Sequence, residues 1–401
     1  MAQKLGLYIH IPFCKSKCAY CDFYSLAGRQ DLTERYAKAL LAHMAETAPQ
    51  ARDFRVDTVY FGGGTPLMLG DKALCDLLAQ IKKRFKVEKD AEITVEVNPD
   101  SVDLKALKRL RKAGVNRISI GMQSANDDEL ERVGRPHDFA QTRQAVEWCR
   151  KAKLKNLSLD LIYGLPGQTL ESWKKTLAAA VALEPEHISG YGLKVEPGTP
   201  LWERVEQGET LPDDDTQADA YLTMVDFLKD HGYGQYEVSN FAKKGYPSRH
   251  NLRYWLMRPY LGFGPGAHSD FGQRRFSFVR DLEGYITGVE TGGRLLDEDQ
   301  EIPHSERASE YLMLRLRTTH GIEEWEYRRE YYMDFEALMP LLTDYEHRGW
   351  VCRHEGRWAF TPEGFLRSNQ LIGRLLESQE RSTLPSTLRY LRRNKTEEVS
   401  S

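Results

Sequence analysis

The chain has 401 residues, 41% of them apolar and 29% charged, with 56 Lys and Arg against 59 Asp and Glu for a net charge of −3. That near-balance gives no electrostatic reason to expect a nucleic-acid partner, and a mean hydropathy of −0.57 argues against a membrane protein. No apolar run approaches the roughly 18 residues of a spanning helix, and Met1–Leu7 leaves no room for a signal peptide, so the cytoplasm is expected.

Strand-like and helical segments alternate from the start. Strands are predicted at Leu5–Ile11, Val56–Phe61, Glu92–Asn98, Arg117–Gln123, Asn156–Tyr163 and His187–Leu193. Helices are predicted at Thr33–Thr47, Asp71–Phe85, Asp103–Ala113, Phe139–Ala152 and Leu170–Leu183. Such alternation calls for a parallel sheet with helical crossovers, and six units in series suggest an open or closed barrel. Fully covered parallel strands read as continuous apolar runs. These strands alternate instead: Ile93, Val95 and Val97 oppose Thr94, Glu96 and Asn98, and Leu157, Leu159 and Leu161 oppose Ser158 and Asp160. The polar faces are expected to line a lumen holding water or a polar ligand, because unpaired polar groups there are costly. An antiparallel sheet with one wet face is the alternative.

Directly after the first strand comes Cys14-Lys-Ser-Lys-Cys18-Ala-Tyr-Cys21, which holds three of the six cysteines. Zinc usually wants a fourth Cys or His in a second knuckle, and none is placed nearby in the usual pairing. Iron–sulfur clusters are held by thiolates, and three of them on a four-iron cubane leave one iron open. Lys15 and Lys17 are expected to favour the thiolates. A cysteine-rich turn or a zinc loop remains the other reading. Cys75, Cys149 and Cys352 are scattered and read as small buried hydrophobes. After the second strand comes Gly62-Gly63-Gly64-Thr65-Pro66, where backbone N–H groups can approach a ligand. Glu96, Gln123 and Asp160 fall at or near strand ends, and Arg135 lies in the loop after the fourth strand. In α/β barrels reactive groups gather at that end.

At these residues the chain resembles the radical S-adenosylmethionine (SAM) superfamily, through Cys14-x3-Cys18-x2-Cys21 and the Gly-Gly-Gly-Thr-Pro element. Tyr8-Ile-His-Ile-Pro-Phe-Cys14 is similar to the branch that contains the oxygen-independent coproporphyrinogen III dehydrogenases (HemN) and the haem chaperones (HemW). The resemblance implies a [4Fe–4S] cluster on Cys14, Cys18 and Cys21. It further implies SAM on the open iron, with Gly63, Gly64 and Thr65 at its methionine part and Tyr8, Tyr20, Glu96, Gln123, Arg135 and Asp160 around the site. HemN-type chains carry a further Cys where this chain has Phe23, and a longer segment before the motif. His250-Asn251-Leu252-Arg253-Tyr254-Trp255 matches a motif of HemW-type proteins, which makes His250 a candidate haem ligand and His268 a further one. The resemblance thus implies a chaperone that binds haem and delivers it to respiratory enzymes, with an electron donor for the cluster. Coproporphyrinogen dehydrogenation is the alternative.

Four segments are expected: a partial (β/α)6 barrel over 1–235, a Gly- and aromatic-rich layer over 236–300, a winged-helix-like α+β domain over 301–378 and a polar tail over 379–401. The third has helices at Glu306–Thr318, Glu323–Tyr331 and Phe335–Arg348, a hairpin at Trp350–His354 and Arg357–Thr361, and a last helix around Pro362–Glu377. It is read as a packing or partner-binding domain. Arg389, Arg392, Arg393 and Lys395 in the tail allow at most a peripheral contact with an anionic membrane.

Overall fold

Apolar side chains at every second position need cover on one face of a strand, and the crossover helices supply it. In the computed structural model, which describes residues 3–381, the strands are β1 (Lys4–Ile11), β2 (Arg55–Gly63), β3 (Val87–Val97), β4 (Arg117–Gln123), β5 (Asn156–Tyr163) and β6 (His187–Gly192). Successive strands pair in parallel. Leu7, Ile9, Val95, Ile118, Ile120, Leu157 and Leu159 are all fully enclosed on the helix side. The antiparallel alternative is thereby excluded for these strands. Helices at Thr33–Thr47, Asp71–Arg84, Leu104–Ala113, Phe139–Lys151 and Leu170–Ala182 make the crossovers. Their starts are written locally: the carboxylates of Asp103 and Asp138 and the hydroxyl of Thr169 each accept from a backbone N–H in the first turn.

The register decides what reaches the mouth of the sheet. Glu96 lies opposite Ser119, Ser119 opposite Ser158, and Asp160 opposite Ser189. Two successive levels of the sheet, Glu96 with Ser119 and Ser158 and then Asp160 with Ser189, therefore carry carboxylates and hydroxyls side by side. The base of the lumen is not a solvent channel. Thr58, Arg117, Ser158, His187 and His250 fill it and are at most 1% exposed.

The chain divides into two compact units. The first holds residues up to Gly234 with Phe241–Arg253 and Arg258–Gln300. The second holds Gln235–Asn240, Tyr254–Met257 and the residues from Glu301 onward. The segment 236–300, expected as a layer of its own, is thus mostly part of the barrel unit, for a physical reason. Strand β7 (Tyr260–Phe263) pairs in parallel with the free edge of β1, opposite β2, and β8 (His268–Phe271) and β9 (Arg274–Phe278) extend the sheet antiparallel from it, with β10 (Leu296–Glu301) at its outer edge. An open edge strand is a liability that added strands remove.

In the second unit, helices His304–Arg315, Glu324–Glu330 and Met339–His347 precede the hairpin β12 (Val351–His354) and β13 (Arg357–Phe360), and β11 (Ile322–Glu323) pairs with β13. The expected final helix is split into Pro362–Leu366 and Ser368–Arg381. Tyr311, Leu312, Phe335, Leu342 and Tyr345 form its buried interior. Among the described residues no helix is long and apolar enough to cross a membrane. The tail beyond residue 381, with its four basic residues, lies outside the described residues.

Candidate functional site

The C-terminal ends of β2–β6 surround a cavity of about 460 Å³. Cys14, Cys18 and Cys21 line it, as do Tyr20, Gly63, Gly64, Thr65, Glu96, Gln123, Arg135 and Asp160. The fold thus gathers the expected site residues around one space, except Tyr8 and the two candidate haem ligands His250 and His268. Tyr8 and His250 are absent from its walls. Tyr8 stands on the inward face of β1, with its ring centroid 6.2 Å from that of Tyr60.

The cysteine loop is tied to the strands by one guanidinium. Arg135 donates from Nη1 to Cys18 Sγ at 3.4 Å and from Nη2 to Asn98 Oδ1 at 2.9 Å and Gly121 O at 3.0 Å. Tyr20 packs against Val133, Ile162 and Leu165. Backbone bonds from Ala19 to Val133 and from Leu201 to Ala19 hold the loop on both sides. Gln123 closes β4 with φ at +62°, a rare conformation for a non-glycine residue, next to a register shift against β5.

Of the two lysines, only Lys17 acts on a thiol in the expected direction, and it does not outweigh burial. Lys15 reaches Asp100 at 3.3 Å and is 67% exposed. Burial is the largest influence on Cys14 and Cys21 and pushes both thiols up; Lys17 opposes the rise only at Cys21. His10 cannot complete a metal site with them, because both ring nitrogens are engaged. Burial pushes His10 down to about 4, so the ring is neutral. Its Nε2 lies 2.7 Å from the carbonyl of Tyr24, which only accepts, so Nδ1 accepts from Tyr8 Oη at 3.0 Å. Of the scattered cysteines, Cys149 is buried as expected, Cys75 is half-buried and Cys352 is exposed on the outer face of β12.

The glycine run works by close packing rather than by offering donors. The N–H groups of Gly63, Gly64 and Thr65 are donated to Glu96 Oε2, Ile11 O and Phe13 O, at 3.3, 2.8 and 2.7 Å. A Cβ on Gly63 would sit 2.5 Å from the His10 ring, and one on Gly64 would sit 2.7 Å from Phe13 O and 3.0 Å from Cys14 Sγ. The missing side chain at Gly64 therefore keeps the space beside that sulfur clear. Three thiols along one wall suit a cluster that takes one thiolate per iron. Among the described residues, no group of three or more His, Cys, Asp or Glu is arranged for a single metal ion.

Two carboxylates face the cavity in different surroundings. Glu96 accepts from Tyr60 Oη at 2.7 Å. Burial pushes its carboxyl up to about 7; Asp160 adds to the rise, while Tyr60, Gly63 and Arg117 oppose it. Asp160 accepts from Ser119, Ser189 and Ser158, at 2.9, 2.8 and 3.3 Å. Burial raises its pKa too, against those three hydroxyls and Arg117.

His250 is 1% exposed, and its Nδ1 lies 2.9 Å from Thr58 Oγ1. Burial, with Arg253 and Arg117 nearby, pushes it down to about 3. In this arrangement it is a buried, neutral histidine. His268 is exposed. Tyr60, Asn98, Ser119 and Ser189 also line the cavity, beyond the site residues the sequence points to, although the strand alternation marks them. Asn251 and the 70%-exposed Phe23 also line it, with no such signal.

Known proteins resemble this chain in sequence and in fold. Residues 8–180 match the radical SAM superfamily and residues 302–367 match the HemN C-terminal domain. The fold resembles that of coproporphyrinogen III oxidase (HemN) from Escherichia coli, a radical SAM enzyme, with a TM-score of 0.82 at 24% identity over 93% of this chain and 90% of that one. Fold and site together define a radical SAM protein, a class whose superfamily implies a [4Fe–4S] cluster and SAM. The heme chaperones HemW of Bacillus subtilis (strain 168) and Haemophilus influenzae are each 36% identical, over 92% of this chain and 98% and 97% of their own lengths. That of Escherichia coli (strain K12) is 35% identical, over 92% of this chain and 97% of its own. The chain belongs to the HemW heme chaperone family.

Proposed function

We propose that the protein is a haem chaperone that carries a [4Fe–4S] cluster and SAM at the mouth of its barrel, binds haem and passes it to respiratory proteins. The observation that carries this reading is the likeness to heme chaperones over 92% of the chain, joined to a cavity walled by three thiols. Cys14, Cys18 and Cys21 hold the iron. Glu96 accepts from the ammonium group of SAM, Asp160 accepts from ribose hydroxyls, and Gln123 and Arg135 orient the nucleoside and carboxylate ends. Tyr20 gives an apolar wall. Thr65 fixes the cysteine loop, since it donates to Cys14 Sγ at 3.9 Å and accepts from Asn98 at 3.0 Å. When bound, cluster and SAM supply one-electron reductive chemistry, and the protein orients them and excludes water. An electron donor for the cluster completes the system.

The likeness to HemN is one of fold. The mouth offers Phe23 where a HemN-type chain has cysteine, which speaks against coproporphyrinogen dehydrogenation. The test is anaerobic reconstitution with iron and sulfide, then haem titration followed by absorbance, with a parallel assay for protoporphyrinogen. Stoichiometric haem binding without protoporphyrinogen is expected. No saturable haem binding, or turnover of coproporphyrinogen, would overturn the reading.

A further inference from the structure

The His-Asn-x-x-Tyr-Trp segment has a place in the fold that a haem ligand does not explain. The backbone N–H groups of Arg249 and His250 donate to the two oxygens of Glu92 on β3, at 3.1 and 3.0 Å. Arg253, 1% exposed, forms an ion pair with Asp57 on β2 and donates to Pro259 O at 3.0 Å. A Cβ on Gly6 would lie 2.5 Å from the Arg253 side chain, so the glycine in β1 makes room for it. The segment is thereby bolted across β1, β2 and β3 at the base of the lumen. Above the bolts, the His250 ring stacks on Tyr60, with centroids 5.0 Å apart and planes 24° apart. It also lies 6.4 Å from the Tyr8 ring. Tyr60 in turn donates to Glu96 Oε1, while the neighbouring Asn251 lines the cavity itself.

We infer that this segment is the floor of the SAM cavity and that His250 is a positioning residue: it holds the Tyr60 ring in a three-ring cluster with Tyr8, and through Tyr60 it aims the Glu96 carboxylate at the ligand's ammonium. The inference rests on the SAM reading of the cavity given above. Its chemistry is consistent. A neutral imidazole stacks on a phenol without bringing a second cation under the carboxylate. The charged and titratable groups that face Glu96 are Tyr60, Tyr8, Asp160 and Arg117. A loosened Tyr60 therefore changes both the aim of Glu96 and the pH at which it ionises.

The test uses the full chain, reconstituted anaerobically, with SAM affinity measured by equilibrium dialysis across pH and haem binding measured in parallel. In His250→Ala, SAM binding is expected to weaken about tenfold, the size of one lost hydrogen bond to a charged group. Its pH midpoint should move, while haem stoichiometry stays at the wild-type value. Tyr60→Phe should weaken SAM to the same degree, and the double variant should fall no further, because both act through one contact. Tyr60→Phe and His250→Phe, which keeps the stacked ring, are the fallbacks if the alanine variant does not fold; His250→Phe should retain most of the affinity. Loss of haem binding in His250→Ala with SAM affinity and pH profile unchanged would overturn the inference and make His250 the haem ligand. A wild-type protein that binds haem but no SAM would remove the reading beneath it and the inference with it.

Discussion

Glu96 is the residue whose chemistry the fold alters most plainly. Its carboxyl is pushed from 4.5 up to about 7 by burial. An acid whose pKa in the fold exceeds its unfolded value stabilises the fold fully only below the unfolded value, and that contribution is lost as pH rises through the folded one. Urea unfolding of the cofactor-free protein should therefore show wild type losing stability from pH 4.5 to pH 7 relative to Glu96→Gln. An unchanged difference across that window would mean Glu96 is not the titrating group. Ligand binding runs the opposite way, because an ammonium pairs with the ionised form. SAM affinity should fall about tenfold per pH unit below the Glu96 pKa, and in Glu96→Gln it should be weak and flat. The polar identity of Glu96 is legible in sequence from the alternation of β3. Its displaced pKa is not, because that depends on Asp160, Tyr60 and Arg117, which belong to three other strands.

Among the elements, the glycine loop after β2 shows how a motif can be read for the right place and the wrong cause. The sequence suggests donors for a ligand, yet those N–H groups end on protein acceptors, and the glycines serve approach instead. Gly64→Ala puts a methyl against two carbonyl oxygens, at 2.7 and 2.9 Å, which belong to the backbone and cannot swing aside. It should cost about 1–3 kcal/mol in chemical denaturation, as overpacking does. Gly373, inside the helix Ser368–Arg381, has nothing within 4 Å of its would-be Cβ. Gly373→Ala should stabilise by about 1 kcal/mol through helix propensity. Equal effects at the two positions would mean that the close approach at Gly64 carries no weight. The strand β7 is among the elements that sequence reading missed. It is only four residues long, Tyr260–Phe263, and its partner β1 is some 250 positions earlier, so no local pattern announces the pairing.

For the whole molecule, the open question is whether haem transfer depends on the cluster. The structure gives the three cysteines no support role that serine could not fill, since Cys14 and Cys21 are only half-buried and among the described residues all are free of disulfides. The triple variant Cys14→Ser, Cys18→Ser, Cys21→Ser should fold with wild-type circular dichroism and bind no iron. Its transfer of haem to an apo-acceptor should drop at least tenfold if transfer is coupled to cluster state or SAM turnover. Normal transfer by this variant would end the coupling idea while leaving haem binding intact. The sequence by itself determined the parallel α/β plan, the trio of thiols, the loop at the second strand and the polar inner faces. All of these are written in periods of two, in spacings of three or four residues, and in turn chemistry, which act over a few positions. What the tertiary structure decided was where the His-Asn-x-x-Tyr-Trp segment goes. A histidine followed by aromatics reads equally as a ligand or as core, and only packing separates the two. Glu92, Thr58 and Asp57, drawn from two strands at sequence distances of 158 to 196 residues, hold His250 and Arg253 in place, and the His250 ring is buried against Tyr60. No local pattern encodes contacts of that range.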